Sequence, residues 1–221
     1  MKSSNETVDV IIPTKPNCEF LIEAIHSVLN QSFEKYNLWV VINAKSWMLE
    51  RKLKRLGINS LVELRVGAGW ARWHGVQHTN SEYIFFLDSD DILLPNALEE
   101  CLGTINSNID VVYGGIQNFV QEPSRKFEFS NHYPIRFTPL ASNSLITRRV
   151  IQQFPFTDFS NTSWVKWIST ARLNGVRFKS TDNLITRRRI HNRNISRAHD
   201  TRTDVVKFVL DHHRNRFFHE S

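Results

Sequence analysis

Among its 221 residues the chain has only two cysteines, Cys18 and Cys101, and two methionines. Two thiols far apart and without metal-ligand spacing exclude a disulfide-stapled scaffold and a zinc site, and they read as buried free thiols of a reducing compartment. No apolar run approaches the roughly 20 residues that span a bilayer. The start, "MKSSNETVDV", is polar, and Pro13 breaks the first apolar run, Val10–Ile12, so nothing there resembles a secretory leader. These absences predict a soluble, cytoplasmic protein. Internal repeats, low-complexity tracts and linkers are also missing, which excludes solenoids and points to one domain at this length. The hydrophobic share of 41% is enough to fill its core.

The formal net charge of +6 is unevenly spread. Residues 1–110 hold 10 Lys/Arg against 14 Asp/Glu, whereas residues 111–221 hold 18 against 8. The basic half, with "TRRRIHNRNISR" at 186–197, suits an anionic ligand such as a diphosphate, a nucleic acid or a membrane surface, or else forms a solvated face.

Periodicity outlines the first half. Val8–Ile12 reads as a buried strand stopped by Pro13. Phe20, Leu21, Ala24, Ile25, Val28 and Leu29 then recur at helical spacing. A strand at Leu38–Ile42 precedes a charged helix from Ser46 to Leu56, with Gly57 as its C-cap. Leu61–Val66 and Tyr83–Leu87 are further strands, separated by a short helix over "GWARWHGVQHT". Pro95 opens a helix to about Ile105, and Asp110–Tyr113 is a fifth strand. Such alternation implies right-handed βαβ units and a parallel sheet. Beyond it, 116–145 reads as short antiparallel strands and loops. A helix over "TSWVKWISTARLNG" buries Trp164, Trp167, Ile168 and Ala171, strands lie near Val176–Phe178 and Leu184–Arg187, and "TDVVKFVLDHHRNRFF" forms a terminal helix. Trp47, Trp70 and Trp73 offer stacking surfaces for sugars or bases, while Trp164 and Trp167 belong to the core.

The segment "YIFFLDSDDILLP" places Asp88, Asp90 and Asp91 just past the end of the fourth strand. Ligands bind beyond the carboxyl ends of the strands in open parallel sheets. Alternation points Asp88 and Asp90 the same way, so two carboxylates can share one divalent cation; hard oxygen ligands suit Mg²⁺ or Mn²⁺. A turn in which one aspartate caps the next helix explains one carboxylate and leaves two.

Here "VDVIIPTKPNCEFLIEAIHSVLNQS" and "GWARWHGVQHTNSEYIFFLDSDDILLPNAL" resemble the nucleotide-sugar-binding half of family 2 glycosyltransferases. "NSLITRR" and "WVKWISTARLNGVRFKSTDNLITRRRIHNRNIS" are similar to the acceptor-side half and closing element of that family. The resemblance implies a single GT-A domain, an α/β Rossmann-like and mostly parallel sheet flanked by helices with a smaller antiparallel acceptor-side part. Residues 8–115 would be the donor half, 116–197 the acceptor half with its closing loop, and 198–221 a C-terminal helix. It further implies Mn²⁺ or Mg²⁺ on Asp88, Asp90 and His191, and a nucleotide-sugar, with UDP favoured, on Pro13, Thr14, Asn43, Arg72, Ser89 and Arg189. The acceptor would be a glycan, a lipid-linked sugar or a polymer, and transfer would proceed with inversion.

Three positions depart from the family pattern. "INAKS" puts Asn43 where a carboxylate is usual, Trp73 replaces an asparagine, and Thr162-Ser163 replace the Glu-Asp pair that supplies the base. Asp158, four residues before Thr162, is the candidate catalytic base or else an ordinary turn residue, in which case another acid substitutes or none is needed. Two other readings stand beside the leading one: a nucleic-acid base as acceptor, and a degenerate domain that binds nucleotide-sugar or a partner without turnover. The terminal helix could also dock peripherally on an anionic membrane.

Overall fold

The structure, a computed structural model, describes residues 6–120, 133–156, 159 and 162–191. Its framework is a mixed sheet built from β1 (Val8–Thr14), β2 (Tyr36–Ile42), β3 (Asn59–Val62), β4 (Tyr83–Phe86), β5 (Ile92–Leu93), β6 (Val111–Val120), β7 (Ile135–Arg136), β8 (Ser144–Thr147) and β9 (Phe178–Ile190). The order is β3-β2-β1-β4-β8-β6-β9-β5, with β7 on β6. β1 to β4 run parallel, as the βαβ alternation predicts, and the antiparallel β8 joins this block to the second half.

Period-two alternation divides the core. Val8, Val10 and Ile12 of β1 pack with α1 (Leu21–Leu29) and α4 (Ala97–Thr104), whereas Ile11 faces α3 (Ala68–Gln77), α5 (Arg148–Gln153) and α6 (Ser163–Leu173). Burying both faces of a strand is the condition of a parallel sheet, and it explains the continuous apolar runs of β1 and β4. The remaining helix, α2 (Trp47–Arg55), turns Leu49 and Leu53 inward and is capped by the Ser46 hydroxyl, which accepts the Leu49 amide at 3.4 Å. Gly57, at φ 69°, ends it in the left-handed conformation expected of a C-cap glycine.

Several expectations need correction. β1 does not stop at Pro13 but continues to Thr14, because Pro13 lies on the side of β1 that faces β4, whose ladder has ended at Phe86. β3 covers Asn59–Val62 only, and Leu64 and Val66 are exposed. Leu29 is exposed as well, at the last turn of α1. β6 runs through to Val120, and one 13-residue strand, β9, replaces the two short strands. Register shifts around Gly115 let these two long strands stay paired over a polar stretch. The expected terminal helix, residues 198–221, lies outside the described residues.

Candidate active site

β4 delivers the carboxylates. After Phe86 the chain leaves the sheet, and the Asp91 amide donates back to the Asp88 carbonyl at 3.0 Å, forming a tight turn. The Asp88 amide donates to Ser142 Oγ at 3.3 Å. Arg72 of α3, itself buried, donates from Nη2 to Asp88 Oδ1 at 2.5 Å and leaves the half-exposed carboxylate its other oxygen.

From the opposite side comes the end of β9. His191 Nε2 lies 2.9 Å from Asp90 Oδ2, and its ring tilts against Phe20 at 5.2 Å. The Arg189 amide donates to Asp91 Oδ1 at 3.1 Å. The Arg189 side chain is nearly fully buried: Nε donates to the Asp90 carbonyl at 3.0 Å, Nη2 to Glu23 Oε2 at 2.6 Å, and the guanidinium packs on Phe20 and Phe119. Its visible role is to fix the backbone that carries Asp90. Burial and the neighbouring Asp88 charge push the Asp90 carboxyl above its ordinary range, and burial does so more strongly at Asp91, followed by the charges of Asp90 and Asp88.

Among the described residues no group of three or more His, Cys, Asp or Glu side chains could hold a metal ion by itself. Asp88 and Asp90, two positions apart at the end of one strand, nevertheless match the part-set of oxygen ligands on which Mg²⁺ or Mn²⁺ is shared with substrate phosphates and water.

Pro13 and Thr14 end β1 beside Val41 and Ile42, and Ser89 contributes its carbonyl to a 3.5 Å contact from Cys18 Sγ. Asn43 is engaged in the protein itself. Its Nδ2 donates to the carbonyls of Glu63 (3.3 Å) and Arg65 (2.5 Å), and its Oδ1 accepts the Gly67 amide at 2.8 Å. The amide thus ties the end of β2 to the loop after β3. Ala44, next in sequence, has φ 155°, which L side chains seldom adopt.

That loop contains a charged and aromatic cluster the sequence did not disclose. Glu63, buried, accepts from Arg65 Nε and Nη2 at 2.9 and 2.6 Å and faces His74 Nδ1 at 3.0 Å. The Arg65 hydrogen bond holds its carboxyl down at about 2. Arg65 in turn lies 3.8 Å over the Trp70 ring, and Phe159 stacks on Trp70 at 3.7 Å. Gly67 and Gly69 permit this approach: an added Cβ at either would lie 2.6 or 2.7 Å from Phe159 backbone atoms. The Glu-x-Arg spacing after a strand was the only available signal.

Thr162 and Ser163 lie at the start of α6 but are buried, and neither caps it through its side chain. Ser163 Oγ has no hydrogen-bond partner among the described residues. Asp158 lies outside them. Trp164 and Trp167 are core, stacked at 5.1 Å beneath Phe86 and Phe156; Trp73 meets Phe156 edge-on, and Trp47 is exposed on α2.

Comparison with known proteins gives this arrangement a context. The family model described as glycosyl transferase family 2 matches residues 9–179. The poly(ribitol-phosphate) beta-N-acetylglucosaminyltransferase TarP of Staphylococcus aureus is 34% identical over 118 residues, covering 48% of this chain and 36% of that protein. The UDP-Glc:alpha-D-GlcNAc-diphosphoundecaprenol beta-1,3-glucosyltransferase WfgD of Escherichia coli is 27% identical over 183 residues, 76% of this chain and 71% of that protein. Glucosyl-3-phosphoglycerate synthase of Mycobacterium tuberculosis, solved with Mn²⁺, UDP and phosphoglyceric acid, superposes with a TM-score of 0.68 at 16% identity, over 93% of this chain and 78% of that one. At that identity the superposition shows the fold alone, and the fold is GT-A.

Proposed function

Because the chain belongs to glycosyl transferase family 2, we propose that it moves a sugar from a nucleotide-sugar donor, UDP-linked by preference, to a lipid-linked or polymer acceptor with inversion. The observation that carries this reading is the closure at the end of β4, where Asp88 and Asp90 lie between Arg72 and His191. Asp88 and Asp90, with His191 beside them, would hold Mn²⁺ or Mg²⁺. When bound, the cation supplies neutralisation of the charge that grows on the departing diphosphate.

The chain's own residues do the positioning. Arg72 orients Asp88, Arg189 fixes the Asp90 backbone, and Pro13, Thr14 and Asn43 frame the nucleotide side with the loop that Asn43 pins. Buried hydroxyls at Thr162 and Ser163 cannot take the acceptor's proton at neutral pH. Asp158 is the proposed base; it directly precedes Phe159, whose ring stacks on Trp70 of α3. The Mn²⁺ and UDP of the mycobacterial synthase support the cofactor and the nucleotide, and the names of TarP and WfgD support the acceptor classes.

Thermal melts with UDP-sugars test the donor half. Mn²⁺ should make the best donor stabilising, by about 2.7 kcal/mol at about 100 times its Kd. Chelator, Asp88→Asn or Asp90→Asn should remove the effect, and a lack of metal-dependent stabilisation by any donor sinks the reading. Asp158→Asn should cut turnover by about 10²–10⁴ while sparing donor stabilisation. Stabilisation without turnover on either acceptor class would favour the binding-only domain that Ser163, buried and unpartnered among the described residues, suggests.

A further inference from the structure

α2 presents an outer face that no other described residue covers. Leu49 and Leu53 point into the core, while Trp47, Met48, Arg51, Lys52, Arg55 and Leu56, along the flank and outer side of the helix, line one open concavity. Trp47 is 70% exposed, Met48 66% and Leu56 50%. Around them, Lys45, Arg51, Lys52, Lys54 and Arg55 face a single carboxylate in the same stretch, Glu50, which is half-buried and accepts the Ser46 amide at 3.4 Å.

We propose that this face docks on an anionic lipid surface. Charge complementarity selects an anionic partner, since basic side chains close to such a membrane are each drawn to it. Exposure of the apolar side chains then selects lipid over a soluble polyanion. A polyanion in water would leave Trp47, Met48 and Leu56 wet, whereas the headgroup region accepts an indole, a thioether and the aliphatic stems of Arg and Lys together with their charges. The helix needs no rearrangement for this, because its inner face is already packed. The inference is independent of what the carboxylate site binds, and it puts membrane contact on α2 instead of on the C-terminal segment.

Flotation of the full chain with vesicles tests it. Binding is expected to equal parts phosphatidylcholine and phosphatidylglycerol and not to phosphatidylcholine alone. Arg51→Gln/Arg55→Gln should weaken partition about 25-fold, at about fivefold per lost charge. Trp47→Ser/Met48→Ser should weaken it as well, because apolar area would no longer leave water. Brominated phosphatidylglycerol should quench a fluorescence component that Trp47→Phe abolishes, a readout that leaves the packing of α2 untouched. The proposal falls if the parent does not float, or if both double variants float as the parent does. It also falls if Trp47→Ser/Met48→Ser floats normally while polyphosphate competes the parent off, which would identify a polyanion site.

Discussion

Around β1 to β4, charged groups are buried in matched sets, while around β8 and α6 a similar depth is filled by aromatic rings. Asp9, 1% exposed, accepts from the Ser81 amide and hydroxyl, from Asn37 and from Arg148. Glu63 is held by Arg65 and His74, and Asp91 by the Arg189 amide. On the same face of the sheet, beneath α6, Phe86, Phe156, Trp164 and Trp167 contact one another, and the buried Ser163 Oγ has no partner among the described residues. Hydrogen-bonded charges fix directions; packed rings fix volumes.

Four variants would break or sharpen that contrast. Trp164→Ala should cost about 4 kcal/mol in urea unfolding, as expected of a buried ring. A loss below about 1 kcal/mol would show that the indole is a surface platform and not core. Asp9→Ala should cost about 3 kcal/mol by leaving Arg148 buried without its charge partner. Adding Arg148→Met should return part of that loss, and failure to do so would mean that the pair is not coupled. Gly69→Ala sits on the seam between the regions and should cost about 2 kcal/mol, since the Phe159 backbone cannot yield as a side chain would.

The smallest effect concerns acid. Glu63 titrates near 2 in the fold against an ordinary 4.5, so its contribution is complete above about 4.5 and is lost as pH falls through that range towards about 2. Glu63→Gln should flatten this part of the stability profile, measured by melting temperature against pH. An unchanged slope would remove Glu63 from the polar set.

The first half of the chain was readable because its signals are local. Period-two strands, period-3.6 helices, the Ser46 cap and the Gly57 stop each lie within a few residues of what they specify, and so does the carboxylate pair at the end of β4. β9 was not readable: "STDN" looks like a break, and the strand runs through it because both flanks pair with β6, some 70 residues away in sequence, and the later part also with β5. The burial of Arg189 was hidden for a similar reason. An arginine in a basic run reads as solvated until Glu23, Phe20 and Phe119, from two distant segments, close around it. Asn43 marks the middle case, since its position at a strand end was evident and its use as a loop tie was not.

Pro13 gives the carboxylate turn its place. The Leu87 amide donates to the Ile11 carbonyl, so the next rung of the β1–β4 ladder would run from the amide of residue 13 to the Leu87 carbonyl. Proline has no hydrogen to give, so that rung cannot form. The two strands unzip there, and the following residues, Asp88 onward, are released from the sheet. Where the two strands part is marked by a single missing hydrogen atom.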